Sequence, residues 1–345
     1  MAGAAVTFSV QARRLAEERD RTAHERDTAQ QVSAFLTSIF EVANPDGGDG
    51  GSVTARELLD RGAERIDVEL AGQPVVQARL LGTMGSVFGG LGLYDRAASL
   101  LERSLQLRRA TLGMDHVDTA QAMAALADAY RELARYDEAE TLNRDALAIK
   151  RRRADTPSSI AASMNDLGLT LCERGRPADG EPLLRDAIDT WKRVDGEAAP
   201  IVAVGLNNLA LSLRQQGRLA EAVPVLQEAI AIRRQRFGND HPLLASALGH
   251  LGQVENLRGN LADAEPLLRE ALAIRRRAYG DDHPDTASFV ALLDDVNQLA
   301  EASPGFVWRH GIDSRNVDDP PPYRDSPVLR GPSRLDVSYD AILPG

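Results

Sequence analysis

The sequence predicts an all-α chain, a right-handed superhelical solenoid of stacked antiparallel helix pairs. Three observations carry that expectation. A small residue returns at Ala97, Ala139, Gly180, Ala222 and Ala264, in steps of 42, 41, 42 and 42 residues. In helix A of the first repeat, Leu81, Met84, Gly85 and Phe88 fall at i, i+3, i+4 and i+7, the spacing of one helix face. Composition agrees: hydrophobic residues make up 43% of the chain but aromatics only 4%, which suits Ala- and Leu-rich helices and leaves little for a β-rich fold.

From the N-terminus, residues 1–30 are expected to form a charged helix. The stretch "QARRLAEERDRTAHERDTAQ" mixes both signs and has no broad apolar face. It suits an exposed helix with i, i+4 ion pairs, or a coiled-coil contact that would make a homodimer. Residues 31–77 are expected to cap the stack. They hold an apolar helix, "QVSAFLTSIFEVA", a glycine-rich loop, "NPDGGDGGS", and a helix started by a capping box of Thr54 and Glu57.

Residues 78–302 are read as five repeats and a closing helix. Twelve residues before each small residue lies another, at Gly85, Ala127, Gly168, Ala210 and Gly252, each preceded by a bulky apolar residue. Each repeat is therefore a helix A and a helix B that cross closely at small residues. One such pair cannot bury its own apolar face, so neighbouring pairs stack. Helix A of the first repeat is expected over Ala78–Gly90, and the closing helix over Ser288–Ala300. Asn143 and Glu255 occupy positions where large apolar residues are usual, and the third repeat places Pro177 and Gly180 at its A–B turn. Residues 303–345 are proline-rich, lack apolar period and are expected to be disordered. Pro320–Tyr323 matches the short P-P-x-Y ligand pattern of WW domains; an inert tail is the favoured reading.

These residues resemble the tetratricopeptide repeat. The 42-residue period, the "G-x-D-H-P" loops and the "A-E-P-L" stretches are similar to the long variety found in kinesin light chains and many bacterial proteins. The block "FLTSIFEVANPD…TARELLDRGAERI" before the repeats also resembles the C-terminal region of bacterial serine/threonine protein kinases. No glycine-rich phosphate loop with its lysine, His-Arg-Asp loop or Asp-Phe-Gly is present in this sequence, so no kinase activity is carried over.

Charge and composition bound the partners. The formal net charge of −11 argues against general nucleic-acid affinity, which rests on Lys and Arg neutralising phosphates. In "MAGAAVTFSVQARR" the apolar run precedes the arginines, the reverse of a secretory signal. It is also far short of the roughly 20 residues that span a bilayer. No membrane insertion is expected of the chain as written, and a cytoplasmic location is. An extracytoplasmic one would follow if the run were the remnant of a lost upstream membrane helix. The single cysteine, Cys172, falls late in helix A of the third repeat and is expected to face the groove, as a small half-buried residue rather than a nucleophile.

Two recurring features suggest chemistry. Asp-His pairs stand at Asp115-His116, Asp240-His241 and Asp282-His283. Zinc needs three or four ligands around one point, whereas equivalent loops of stacked repeats lie about 10 Å or more apart. The pairs are therefore read as loop and helix-cap residues, with neither metal nor cofactor. Basic clusters at Arg108-Arg109, Lys150–Arg153, Arg233-Arg234-Arg236 and Arg275–Arg277 fall at the ends of helices B, where cations meet the helix dipole favourably.

No catalytic constellation emerges, and the expected function is a non-enzymatic protein-interaction scaffold. The resemblance implies that a protein or peptide segment lies along the concave groove lined by helices A. The matching positions are Arg79, Ser86, Gln121, Asp128, Arg131, Asn165, Asn207, Asn208, Arg214, His250, Gln253 and Asn256. Asn165 and Asn207 are equivalent in "MNDLG" and "LNNLA", and resemble the asparagines that hold peptide backbone in light-chain-like repeats. These helix A positions carry no dense Lys/Arg cluster of the kind that clamps a terminal carboxylate. The alternative is the sensor or substrate-recruiting part of a membrane-anchored kinase.

Overall fold

A computed structural model describes residues 55–281 and 284–302, together with Val32, Phe35 and Thr37. The expectations placed on the charged N-terminal segment, the Thr54 capping box, Asp282-His283 and the proline-rich tail lie outside the described residues. Among the described residues the regular elements are all α-helices. The chain divides between Asp155 and Thr156 into two compact units.

The first unit holds α1 (Ala55–Glu69) and two A/B pairs, α2 (Pro74–Gly90) with α3 (Tyr94–Leu112) and α4 (Val117–Glu132) with α5 (Tyr136–Arg152). The second holds three pairs and a last helix. These are α6 (Pro157–Glu173) with α7 (Pro177–Val194), α8 (Pro200–Gln215) with α9 (Leu219–Phe237), and α10 (Pro242–Leu257) with α11 (Leu261–Tyr279), followed by α12 (Pro284–Ala302). Within each unit successive helices pack antiparallel on their neighbours.

Proline marks many of the starts. Pro74, Pro157, Pro200 and Pro242 stand at the first helical positions, where the missing N–H has no intrahelical partner to lose. The first helix A therefore reaches back to Pro74, four residues before the expected Ala78. Its A–B turn closes with the Leu93 N–H on the Phe88 carbonyl at 2.9 Å, and the same bond recurs from Arg176 to Leu171 at 2.8 Å and from Asn260 to Glu255 at 2.9 Å. This is a six-to-one Schellman closure.

The core forms where the frame places it. Leu81, Met84, Phe88, Ala97 and Leu101 are buried in the first pair, and Leu209, Ala210, Leu213, Ala222 and Leu226 in the fourth. The third pair crosses most tightly. Pro177 opens α7 and Gly180 lies inside its first turns rather than in a connecting turn, which corrects the expectation for that junction. A Cβ at Gly180 would sit 2.4 Å from the Gly168 carbonyl oxygen and 2.9 Å from the Cys172 sulfur. Two glycines face each other because the backbones touch.

Glu255, at a position usually apolar, is buried and answered by Arg258 at 2.9 Å and Asn260 Nδ2 at 2.7 Å. On the outer surface, helix B cations reach acids 36 residues on, Lys192 to Glu228 at 2.6 Å and Arg234 to Glu270 at 2.5 Å. Exposed pairs of this kind add little stability each.

Candidate functional site

The Asp-His loops are built as caps. His116 Nδ1 accepts the Asp118 N–H at 3.1 Å, and His241 Nδ1 accepts the Leu243 N–H at 3.2 Å, each satisfying an orphan donor of a helix A. Their aspartates hold helix B arginines: Asp115 takes Arg152 at 2.5 Å, and Asp240 takes Arg277 at 2.6 Å. Where the loop lacks histidine, Thr156 caps α6 through the Ser159 N–H at 3.3 Å. Among the described residues no three His, Cys, Asp or Glu side chains gather where they could share a metal ion.

The basic clusters differ from expectation in one respect. Each was read as sitting at a helix end against the dipole, but one member turns inward. Eleven residues after the small residue of helix B come Arg108, Lys150, Trp191, Arg233 and Arg275. Eleven residues is about three helical turns, so the chain returns to the face that packs on helices A. Lys150, Trp191, Arg233 and Arg275 are buried. Each of the five donates to a helix A: Arg108 to the Asp118 carbonyl at 3.0 Å, Lys150 to Gln121 Oε1 at 3.4 Å, and Trp191 Nε1 to the Ser158 carbonyl at 3.2 Å. Arg233 donates to the Leu243 carbonyl, and Arg275 to Ser246 Oγ at 2.9 Å.

In the first unit the expected groove residues divide by burial. Arg79, Gln121 and Asp128 are exposed and Ser86 is half-buried. Arg131 is buried and reaches Asp128 at 2.7 Å and Glu132 at 2.9 Å, so its charge is answered within its own helix.

The second unit brings more of them together. Asn165 is buried and accepts from Asn208 Nδ2 at 3.0 Å, linking α6 to α8. With its amide oxygen facing the guanidinium, Asn207 accepts from both terminal nitrogens of Arg233, at 3.0 and 2.6 Å. Arg214 is half-buried and donates to Gln253 Oε1 at 3.0 Å, linking α8 to α10. Asn256 carries a buried side-chain oxygen that meets no donor. His250, half-buried on α10, is pushed down to about 3 by burial and by the charges of Arg214, Arg233 and Arg275, so it is neutral near pH 7. Burial alone lowers Arg214, and it brings Arg233 down to about 10.

The helix A positions by themselves do not reveal this cluster. Those positions lack a Lys/Arg concentration, but helices B supply Arg233 and Arg275 from behind. Arg275 also lies over the Phe289 ring of α12, 4.5 Å from its centroid. The signal available in the sequence was the recurrence of the inward cation in the 42-residue frame. Cys172 faces the core rather than solvent. It is fully buried beside Gly180 and Ser212, and burial pushes its thiol up to about 11.

Comparison with known proteins agrees with this architecture. The family model described as tetratricopeptide repeat matches residues 76–152, 159–235, 201–277 and 243–288, more than half of the chain. A second model, described as a domain of unknown function, matches residues 271–329 and overlaps α11 and α12. No curated protein matches. Among solved structures, BtubC (BKLC) from P. vanneervenii is similar at 24% identity and a TM-score of 0.54, over 67% of this chain and 95% of that one. The nearly identical TPR-like repeats of a Podosopora anserina protein described as a kinesin light chain are similar at 22% identity and a TM-score of 0.50, over 59% of this chain and 97% of that one. Repeat period, helix pairing and family match converge: the chain belongs to the tetratricopeptide repeat family.

Proposed function

We propose that this protein is a non-enzymatic scaffold that takes an extended segment of a partner protein along the groove lined by its helices A. One observation carries the reading. In the second unit, polar side chains of helices A link α6 to α8 and α8 to α10, through Asn208–Asn165 and Arg214–Gln253. Packing alone would place apolar residues between neighbouring helices. A polar floor instead offers donors and acceptors to the unpaired peptide links of a bound segment. In the first unit, the exposed Arg79, Gln121 and Asp128 present the corresponding polar surface.

The test is capture by the immobilised full chain, with variants chosen to keep the acceptors that inward-facing cations use and with helicity followed for each. Arg79→Glu with Gln121→Glu alters the first unit, and Gln253→Glu with Asn256→Leu the second; glutamate keeps an acceptor for Lys150 and for Arg214. Asn207→Ala is unsuitable because it also strips an acceptor from buried Arg233. Proteins retained by the wild-type chain are expected to be lost by one or both pairs of variants at unchanged helicity. They are expected to be kept when the outer-surface residue Arg96 is changed to Glu. Capture indifferent to both groove pairs would overturn the reading.

A further inference from the structure

Arg214 and Arg233 bring positive charge to the helix A face of the second unit with no carboxylate partner among the described residues. Arg233 is 4% exposed, and its partners, the Leu243 carbonyl and the Asn207 amide oxygen, are neutral. Arg214 is half-buried and donates to the neutral amide of Gln253. Among the described residues neither makes an ion pair with Asp or Glu, and no carboxylate perturbs either guanidinium. The contrast is with Arg131 in the first unit, which has Asp128 and Glu132. Arg275 approaches from α11 through Ser246 and Phe289. Removing a cation from water costs several kcal/mol unless an anion compensates it.

The cluster has an open side. Arg214, His250 and Gln253 are each only half-buried, while Arg233 and Arg275 lie behind them. We infer that the groove face of α8 and α10 is a binding site for a phosphate monoester, contacted by Arg214 and His250 and held by the field of Arg233 and Arg275. The charge favours that chemistry over a carboxylate. Two guanidiniums without acidic partners offer two positive charges, and a phosphate monoester carries about −1.5 to −2 near neutral pH. Guanidinium also pairs with phosphate oxygens in bidentate fashion. The groups facing His250 are Arg214 from α8, Arg233 from α9 and Arg275 from α11, with Gln253 one turn along α10. All three charges oppose its protonation. A dianion beside the ring would reverse that balance, so binding should take up a proton as the pH falls.

The inference deepens the scaffold reading and rests on it for the carrier, a phosphorylated residue of the bound segment, though not for the anion site itself. The experiment titrates the full chain at constant ionic strength while following the His250 ring resonances by NMR. The probes are inorganic phosphate, phenyl phosphate, chloride, and an alanine-glycine pentapeptide with phosphoserine, serine or glutamate at its centre. The expected result is a saturable His250 shift with each phosphate and none with chloride. The phosphoserine peptide should bind at least about tenfold more tightly than the glutamate peptide. Arg214→Gln should abolish the shift. Gln253→Glu, which gives Arg214 an internal carboxylate, should weaken binding about tenfold or more while keeping the fold.

Saturation by inorganic and phenyl phosphate with no gain from the peptide would assign the site to a small phosphate ligand and overturn the peptide carrier. No saturable shift with any phosphate would overturn the site. If groove variants still lost captured partners in that case, the scaffold reading would survive alone.

Discussion

His250 should make the second unit acid-sensitive in a window where carboxylates are not yet titrating. The perturbation is a drop from pH 7 to pH 5. In the unfolded chain a histidine titrates near 6.5, whereas burial and then Arg214, Arg233 and Arg275 hold His250 at about 3 in the fold. The unfolded state therefore binds the proton first, and stability that is intact above about pH 6.5 is lost progressively as the pH falls toward 3. A gap of that size, taken between pH 7 and 5, corresponds to about 2 kcal/mol. Because His250 is only half-buried, solvent screens part of this, leaving about 1–2 kcal/mol. His241 is depressed in the same direction by burial and Arg233, so the comparison is made against His250→Gln rather than in absolute terms.

The assay is urea unfolding at several pH values, followed by the fluorescence of buried Trp191 in a Trp308→Phe background. The wild-type midpoint should fall more steeply between pH 7 and 5 than that of His250→Gln, and the two slopes should converge below pH 3. Identical slopes would show that the three arginines do not act on this ring, and the reasoning for the cluster would fail with them.

Gly180→Ala sets two effects against each other. Helix propensity favours alanine by about 1 kcal/mol, and alanine occupies the equivalent position of the other repeats. The added Cβ would lie 2.4 Å from a backbone oxygen, which favours overpacking of about 1–3 kcal/mol or more. Thermal unfolding should show net destabilisation, and a raised melting temperature would refute the close approach. Asn207→Ala should cost about 1.5–3 kcal/mol in urea unfolding because it removes an acceptor from a buried cation; a neutral effect would mean that Arg233 does not depend on it. Cys172, with its thiol pushed up to about 11 by burial, should resist a thiol-specific reagent at pH 8 and react at once in urea. Rapid labelling of the folded chain would contradict its placement against Gly180.

Much of the architecture was legible because its causes are local and periodic. The small residues that let helices cross, the prolines that open helices A and the histidines that cap them all act within a few residues. The 42-residue frame displays each of them several times. Gly180 was legible as the small residue that crosses opposite Gly168, but the proline before it also suggested a turn, whereas the helix already begins at Pro177. The polar cluster was harder to read. Arg233 stands among surface arginines in "IRRQRF", and nothing local marks it as the one that turns inward. Its burial depends on helices A on either side and on Asn207, 26 residues earlier. Asn207 itself read as a peptide-holding amide, although in the fold it is largely occupied by Arg233. The Asn165–Asn208 link likewise spans 43 residues and appears only once the helices are side by side.

Partner segments lying along helices A are the core of the proposed function. Its most direct test is site-specific photo-crosslinking of the full chain in native lysate, with the crosslinker at Gln121 and Gln253 on helices A and at Arg96 and Glu270 on helices B. Covalent partner adducts from Gln121, Gln253 or both, with none from Arg96 or Glu270, are the predicted result. Adducts confined to Arg96 and Glu270 would contradict it and place binding on the outer helices.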